Sequence, residues 1–421
     1  MALILGIIVL IVLIWRSIHI LFAPSVKYRK LRILSLFVLS TFFYFSTLIS
    51  NLIFFFFVFM LLLITKIRKI IYPIYIYIIF LAYCCITLFY SESLWFGSMM
   101  VLKLTLPLLF LMFGYSIIDS KEKFIYFLHS SYKFFIPIAI LSSNPIVALG
   151  KEHVKVFASW EAGNTELYVA LLCIPISLYF FTKKVKYLFG SLVFTLPYFT
   201  LIRRTCIGGA AIVASVAYYF KKGIKAFIPI FIGMCLLVMA IVTIPALRER
   251  FFGGDKGDMS GLSTKELLSA ENVSTSGRDY MWAYVTNKFY VGNEIFGCGL
   301  GTMKSYLREN VSGETAHFEI LHNDHLHLLI ETGIVGVVLF GLFFSVILIK
   351  SYFIIRKKKV DYTLRIAAFC SFATALSTLF CMYFSNVLSM LTSIAITFLF
   401  IGIFLRLEYD SKNNKICANV Y

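Results

Sequence analysis

The feature that most constrains this chain is the length of its uninterrupted apolar runs, such as NLIFFFFVFMLLLIT from Asn51 to Thr65. Hydrophobic residues make up 60% of the 421 residues and charged residues only 14%, a balance that is not expected of a soluble domain. A membrane-spanning helix needs about 20 apolar residues, whereas a membrane β-barrel shows roughly ten-residue segments of alternating polarity. The continuous runs therefore predict an all-α, polytopic membrane protein.

The runs divide most of the chain into about 12–13 transmembrane helices. The N-terminal run MALILGIIVLIVLIW has no charged start and no small-residue cleavage site, so it is predicted to be a retained helix rather than a signal peptide. The predicted spans are residues 3–22, 33–49, 51–65, 71–90, 95–118, 124–142, 165–181, 187–202, 206–220, 226–245, 330–355, 364–384 and 387–405.

The net charge of +18 follows this topology. Basic residues cluster in alternate connections, as in KYRKLR from Lys27 and RKKK from Arg356, whereas an intervening connection such as YSES from Tyr90 has none. This alternation is the positive-inside rule, which places the basic clusters in the cytoplasm, in contact with anionic lipid. The sequence predicts an outer N-terminus, an inner C-terminus and no nucleic-acid partner.

One external connection is long enough to form an extramembrane region. The predicted regions are residues 1–245, with the N-terminal helices, residues 246–329, a large periplasmic loop carrying the candidate site, and residues 330–421, with the C-terminal helices and a cytoplasmic tail. Within the loop, a helix is predicted from Arg278 to Tyr290, with Ser276 as its N-cap. A helix-bearing loop of this length is uncommon unless it is functional, so we expect chemistry or recognition at the outer face.

Four basic side chains stand out near that face. Arg203 and Arg204 lie at an outer helix end with few other charges, and Arg278 begins a helix, where the dipole favours anions. Lys103 lies inside a predicted span, at a cost of about 2.5–3.5 kcal/mol. Arginines at helix ends also snorkel to lipid headgroups, and a solvated Arg278 would be unremarkable. Together the four residues predict an anionic ligand at the outer leaflet, and a lipid pyrophosphate fits best.

The sequence HFEILHNDHLHL, beginning at His317, places four of the seven histidines in a short window. His322, His325 and His327 could form a zinc site, although HExxH is absent and His327 would point away from the other two on a helix. They could also be the polar rim of a membrane helix, the interpretation favoured for His317 and His327. A single imidazole could instead act as a general base, because its pKa lies near neutrality.

The first of three motifs gives the chain a resemblance to a known family. His322-Asn323, followed after nine residues by Gly333 and after two more by Gly336, resembles the signature of the O-antigen ligase and O-antigen polymerase family. Members of this family are bacterial inner-membrane glycosyltransferases that use polyprenyl-pyrophosphate-linked glycans. Gly333 and Gly336 would serve close helix packing or a tight entry from loop to helix.

Two further motifs occur in the order that the family shows. TLIRRTCIG, residues 200–208, is similar to its Ser-Arg element, with Arg203 in place of the serine and Arg204 as the matching arginine. Ser276-Gly277-Arg278, then Trp282 and GCGLG at residues 297–301, resembles the opening of the family's periplasmic loop.

The resemblance implies a GT-C-like membrane fold and a role for each of these residues. His322 would deprotonate an acceptor sugar hydroxyl, with His325 as the second candidate and Asn323 and Lys103 as possible contributors. Arg203, Arg204 and Arg278 would bind the donor's pyrophosphate and stabilise the leaving group. Neither a metal nor another cofactor is required in this scheme.

The resemblance also implies partners and a location. The partners would be a polyprenyl-pyrophosphate-linked oligosaccharide donor, a lipid-linked glycan or lipid A core as acceptor, membrane lipids and a chain-length regulator. The site would face the periplasm from the bacterial inner membrane. A polymerase is favoured, and a ligase is the alternative within the family. A flippase or other transporter of lipid-linked sugars is the alternative of another class, but transporters usually show internal repeats, and none is convincing here.

Overall fold

A computed structural model describes residues 29–42, 58–63, 65, 70–141, 165–200, 203–244, 278–310, 321–388 and 391–418. Regular structure in these ranges is helical, and no strand occurs within them. Six helical segments have the length and apolar character of membrane spans: Tyr72–Tyr90, Leu94–Ile117, Thr165–Thr182, Arg204–Thr243, Asp324–Arg356 and Tyr362–Phe384. The predicted all-α, polytopic membrane fold is confirmed, whereas the count of about 12–13 transmembrane helices stays a prediction.

The described helices follow the predicted spans closely. The spans predicted at residues 3–22 and, for the most part, 51–65 lie outside the described residues, and the last helix runs past its predicted end at residue 405. In chain order the helices are α1 (Arg29–Phe42), α2 (Tyr72–Thr87), α3 (Leu94–Ile117), α4 (Lys121–Leu141), α5 (Thr165–Leu171), α6 (Cys173–Thr182), α7 (Lys186–Thr200), α8 (Arg204–Lys222), α9 (Phe227–Thr243), α10 (Arg278–Val285), α11 (Thr302–Asn310), α12 (Asp324–Arg356), α13 (Tyr362–Phe384) and α14 (Leu391–Ala418).

The helix connections gather at two ends of the bundle. Hydrogen bonds join Ser385 and Asn386, after α13, to the starts of α5 and α12, and the start of α8 contacts the end of α13. We call this the histidine end. At the opposite end, called the lysine end, Lys183 after α6 meets Tyr362 at the start of α13.

Aromatic side chains fill much of the core between the helices. Tyr77 of α2 is fully buried, and its ring lies 5.1 Å from Phe343 of α12 and 4.7 Å from Phe398 of α14. Its hydroxyl donates to the carbonyl oxygen of Leu104 in α3 at 2.8 Å. Because a buried hydroxyl needs a partner, this bond lets one tyrosine join four helices.

Helices α3 and α14 approach each other through two glycines. A β-carbon at Gly114 of α3 would overlap the carbonyl oxygen of Leu399, and one at Gly402 of α14 would overlap the carbonyl oxygen of Leu111. Small residues allow this backbone approach between membrane helices, where close packing replaces the hydrophobic driving force.

Helix α12 is broken one-third of the way along, at Gly333, whose φ of 64° and ψ of −170° are not helical. Only glycine adopts this region readily. The break is bridged by the connection between α10 and α11, because Cys298 N and Gly299 N donate to the carbonyl oxygens of Ile330 and Glu331, both at 3.0 Å. The loop thus satisfies backbone groups near a helix break that would otherwise be costly to bury.

The same connection, residues 291–301, is held from two further sides. Beyond the break, Ile334 N donates to the carbonyl oxygen of Glu294 at 2.9 Å. On the other side, a β-carbon at Gly301 would overlap the backbone of Gly97 at the start of α3. We call residues 291–301 the glycine loop, and it is wedged between α3 and the broken α12.

The glycine contact between α3 and α14 predicts opposite effects for two Gly→Ala substitutions. Gly402→Ala should lower the free energy of unfolding by roughly 1–3 kcal/mol, because a β-carbon there forces the helices apart. Gly341→Ala in α12, where no atom lies within 4 Å of the new β-carbon, should be neutral or stabilise by up to about 1 kcal/mol. Thermal unfolding of the purified protein in detergent measures both, and equal effects would contradict the close packing of α3 and α14.

Candidate active site

The segment after α13 connects the helix ends at the histidine end. Each of three residues in this short segment bonds to a different partner: Ser385 Oγ donates to Glu166 Oε1 (2.9 Å), Asn386 Nδ2 lies 3.1 Å from His322 Nδ1, and Leu388 N donates to Asp324 Oδ2 (2.8 Å). These contacts bring the starts of α5 and α12 together around the end of α13.

His322 lies just before α12 in a left-handed backbone conformation. Its φ is 52°, which costs a residue with a β-carbon about 1–2 kcal/mol. Asn323 is the N-cap, and its side chain accepts from Leu326 N at 3.0 Å. On the preceding side, Trp282 Nε1 of α10 donates to the carbonyl oxygen of Leu321 at 2.7 Å. The two flanking bonds hold the strained residue in place, so His322 is not on a helical face shared with His325.

The imidazole of His322 has a defined partner in the Asn386 amide. With Asn386 Nδ2 facing the ring at 3.1 Å, His322 Nδ1 accepts, and in the neutral ring the proton then resides on Nε2. Turning the amide by half a rotation presents Oδ1 instead. Nδ1–H then donates, and Nε2 carries the lone pair that a base requires. The amide orientation therefore selects which tautomer His322 holds.

The other two histidines described in the window have separate partners. His325 Nε2 lies 2.9 Å from the carbonyl oxygen of Leu379 in α13, so this nitrogen carries a proton. His327 Nε2 lies 3.0 Å from Glu331 Oε2, within ion-pair distance although not in hydrogen-bond geometry. Since the Glu331 side chain is only 1% exposed and that of His327 only 14%, the prediction that His327 belongs to a polar rim is wrong.

The zinc interpretation requires histidines that converge on one point. His322, His325 and His327 instead face Asn386, the backbone of α13 and Glu331. Within the described ranges, no three His, Cys, Asp or Glu side chains are grouped so that they could hold a metal ion. His317 lies outside the described residues.

Asp324 is a buried carboxylate directly beside the His322–Asn386 pair. It is fully buried, and its Oδ2 holds Leu388 N, two residues beyond Asn386. Lys103 of α3 is partly buried and lies within electrostatic range of Asp324. Asp324 therefore anchors the segment that carries Asn386.

Arg203 and Arg204 form the start of α8, at the same end. Arg203 is the N-cap residue and makes no side-chain cap, while its backbone N–H donates to the carbonyl oxygen of Tyr198 at 2.9 Å. The carbonyl oxygen of Thr205, the residue after Arg204, accepts a hydrogen bond from Cys381 near the end of α13. A helix N-terminus already favours anions, and two arginines there strengthen this preference.

The third predicted arginine, Arg278, is the first residue of α10, as the sequence predicts. Its side chain and its predicted cap Ser276 lie outside the described residues. Trp282, one turn along α10, has its ring centroid 6.4 Å from that of Tyr383 at the end of α13. Helix α10 is thus docked beside the His322 segment.

Cys298 of the glycine loop is the described cysteine that lies outside the spans on this side of the bundle. Burial raises the pKa of its thiol to about 12. The thiol therefore stays protonated near neutral pH and does not supply the thiolate that nucleophilic catalysis needs.

Sequence reasoning missed three residues of this region. Asn386 belongs to a short connection whose sequence carries no signal of its own. Glu166 is 9% exposed and bonds to Ser385. Its sequence signal was that of an acidic residue at the start of a predicted span in a strongly basic chain. Glu331 is an acid within an apolar helix, which usually indicates function or pairing.

Comparison with known proteins agrees with the motifs. Residues 188–341 match the family model described as O-antigen ligase, and this range includes Arg203, Arg204, Arg278, His322 and Gly333. Asn386 and Asp324's partner Leu388 fall beyond its end. A search of curated proteins finds no match. The resemblance predicted from the three motifs is confirmed: residues 188–341 are similar to the O-antigen ligase family.

Proposed function

We propose that this protein is a surface-polysaccharide polymerase that transfers a polyprenyl-pyrophosphate-linked glycan onto the sugar of another lipid-linked repeat unit. The observation that carries the proposal is the His322–Asn386 pair, at the end of the bundle where Arg203 and Arg204 begin α8. The family match supports transfer chemistry of this kind.

In the proposed reaction His322 is the general base. The acceptor hydroxyl oxygen attacks the anomeric carbon of the donor sugar, and the bond from that carbon to the pyrophosphate oxygen breaks. Polyprenyl pyrophosphate leaves with the electron pair, and the hydroxyl proton passes to His322 Nε2. This requires the tautomer in which Nδ1–H donates to the Asn386 Oδ1, so Asn386 acts as a positioning residue. No metal takes part in this scheme.

The pyrophosphate is proposed to bind at the start of α8. Arg203 and Arg204 offer charged donors beside the positive end of the helix dipole, and Arg278 is assigned to the same anion. As the leaving group gains charge, these donors stabilise it without reorganisation. Lys103 and Asp324 lie deeper in the bundle and are assigned to packing of the site rather than to the donor.

The histidine end is proposed to face the periplasm from the bacterial inner membrane. The support is charge: the lysine end gathers the basic residues of three connections, at Lys183, Lys221 to Lys225 and Arg356 to Lys359. By the positive-inside rule, that end lies in the cytoplasm. The donor and acceptor lipids would then meet at the outer leaflet.

A ligase is the second candidate, and the description of the matching family favours it. It would use the same donor and the same base but transfer the finished glycan to the lipid A core. The acceptor distinguishes the two activities, and a chain-length regulator would be a partner of the polymerase alone.

The base assignment predicts a large effect of His322→Asn. Asparagine tolerates the left-handed backbone but takes up no proton near neutral pH, so transfer should fall on the order of 10²–10⁴-fold. His325→Gln, which keeps a donor for the Leu379 carbonyl oxygen, should change the rate only slightly. A transfer assay with purified protein and lipid-linked donor measures the rates of both variants. A large loss in His325→Gln with little change in His322→Asn would assign the base to His325 instead.

The same His322→Asn variant in cells separates polymerase from ligase. Glycan limited to one repeat unit on the lipid core identifies a polymerase. Polymer that accumulates on the carrier lipid while the core stays uncapped identifies a ligase. Unchanged surface glycan, with the variant present in the membrane at normal amounts, would contradict both.

The role of Asn386 predicts a shift in pH dependence. In Asn386→Asp, the carboxylate accepts from Nδ1–H and favours the imidazolium, so the acidic limb of the rate profile should move up by roughly 1 pH unit. Activity above that limb should be retained. Asn386→Leu removes the partner and should lower kcat at every pH. If Asn386→Asp lowers the rate without moving the limb, the contact is structural only.

The anion site predicts different effects for two Arg204 variants. Arg204→Gln should reduce kcat/KM for the donor by roughly 10- to 100-fold, the range for one hydrogen bond to a charged group. Arg204→Lys should retain part of this kcat/KM, because lysine keeps the positive charge but cannot donate the two parallel hydrogen bonds of a guanidinium group. Lys121→Gln, at the opposite end, is the control. If Arg204→Gln raised the KM for the acceptor as much as the KM for the donor, a role of Arg204 in binding the donor's pyrophosphate would be contradicted.

A further inference from the structure

A cavity of about 670 Å³ at the lysine end is lined by seven basic side chains. They come from separate connections that meet only in the folded protein. Lys183 follows α6, Lys221 and Lys222 end α8, and Lys225 lies in the turn after it. Arg356, Lys358 and Arg365 come from the end of α12, the connection after it and the start of α13. We call this cavity the basic pocket.

The basic pocket contains no carboxylate among its lining residues. Elsewhere in the described ranges, basic residues near the ends of α3, α12 and α14 are paired with acids: Lys123 with Asp119, Lys350 and Lys412 with Glu408, and Arg406 with Asp410. None of the seven pocket residues has such an ion pair within those ranges. So many like charges repel one another, and a bound anion would compensate them.

Aromatic rings hold part of the basic pocket in place. Lys183 Nζ lies 5.9 Å from the ring centroid of Tyr179 and 5.8 Å from that of Tyr362, and Arg365 lies 5.1 Å from Phe220. Arg365 Nε also donates to the carbonyl oxygen of Ile355 at 3.2 Å. Rings and carbonyl groups thus orient these cations before any ligand binds, which lowers the entropy cost of binding.

An apolar groove opens directly beside the basic pocket. It measures about 740 Å³ and shares Tyr179, Phe180 and Lys221 with the pocket. From Lys221 it follows α8 to Ile207, which is about 21 Å at 1.5 Å per residue. The groove is thus a hydrocarbon-lined channel whose one end carries the positive charge.

We propose that the basic pocket and the groove together bind an anionic phospholipid, with its phosphate in the pocket and an acyl chain in the groove. The basic side chains supply the charge-assisted donors that a phosphate takes. The groove argues for a lipid rather than a soluble phosphate, because a soluble anion would leave it unused. Basic pockets between membrane helices recognise anionic headgroups in this way. The site is independent of the proposed transferase activity.

The positive-inside rule alone would gather lysines at this end of the bundle. The test therefore compares two double variants that remove the same number of charges from the same connections. Lys183→Gln/Lys358→Gln removes two pocket charges. Lys184→Gln/Lys359→Gln removes two neighbouring charges from the same two connections, but these residues do not line the pocket. Both double variants change the net charge and the topological signal equally. Ala214→Phe fills the groove without changing any charge.

Binding is measured on the purified full chain in neutral detergent by native mass spectrometry and thermal shift, with phosphatidylglycerol, phosphatidylethanolamine or inorganic phosphate as probes. Phosphatidylglycerol should bind the unchanged protein and raise its Tm. Its affinity should fall roughly 10- to 30-fold in the pocket variant, the effect of two basic residues near an anionic headgroup. It should also fall in Ala214→Phe and persist in the matched control.

Several outcomes would overturn the proposal. An equal loss in both double variants would mean that only general surface charge attracts the lipid. An equal shift with inorganic phosphate, or no effect of Ala214→Phe, would mean that the pocket takes a soluble anion. Equal binding of phosphatidylethanolamine would remove the preference for anionic lipid. Lys183→Arg/Lys358→Arg, which keeps the charge, should bind like the unchanged protein, and its failure to bind would contradict a role of charge. The glutamine variant should keep the lipid-free Tm of the unchanged protein, which shows that its loss of binding is not a failure to fold.

Discussion

The site depends on one exchange of backbone hydrogen bonds, between the glycine loop and the broken helix α12. A buried backbone polar group needs a hydrogen-bond partner, so a helix break at the buried Gly333 requires another segment that supplies donors and acceptors. The N–H groups of Cys298 and Gly299 supply the donors, and the carbonyl oxygen of Glu294 accepts from beyond the break. Glycines at the contact points allow backbone to meet backbone.

This exchange fixes the short first part of α12, and with it the residues of the candidate site. Asn323 caps that part and holds His322 in its left-handed conformation. Asp324 ties it to the segment after α13, which returns Asn386 to the His322 ring. The strained backbone of His322 is thereby supported by the bonds of its neighbours Leu321 and Asn323 and by the Asn386 contact to its ring.

The helices and their ends were predictable because apolar run length and charge asymmetry are local properties of the sequence. The family motifs singled out His322, Arg204 and Gly333, and the structure places His322 and Arg204 at the same end of the bundle and Gly333 at the break of α12. Asn386 was not predictable, since it lies 64 residues from its histidine partner and its connection looks like any neutral turn. His327 was misjudged for a different reason. Its partner Glu331 is only one helical turn away, but the sequence does not show that both side chains are buried between packed helices.

The distribution of these residues along the chain also has a consequence for biosynthesis. The contacts at the histidine end join Glu166, near the middle of the chain, to a segment that ends at Leu388. The His322 imidazole and the Asp324 carboxylate therefore gain these partners only after α13 has been synthesised. A nascent chain stalled before that point would carry the family's recognisable motifs and yet lack Asn386 and Leu388. The arrangement around His322 is thus completed only when nearly the whole chain has been made.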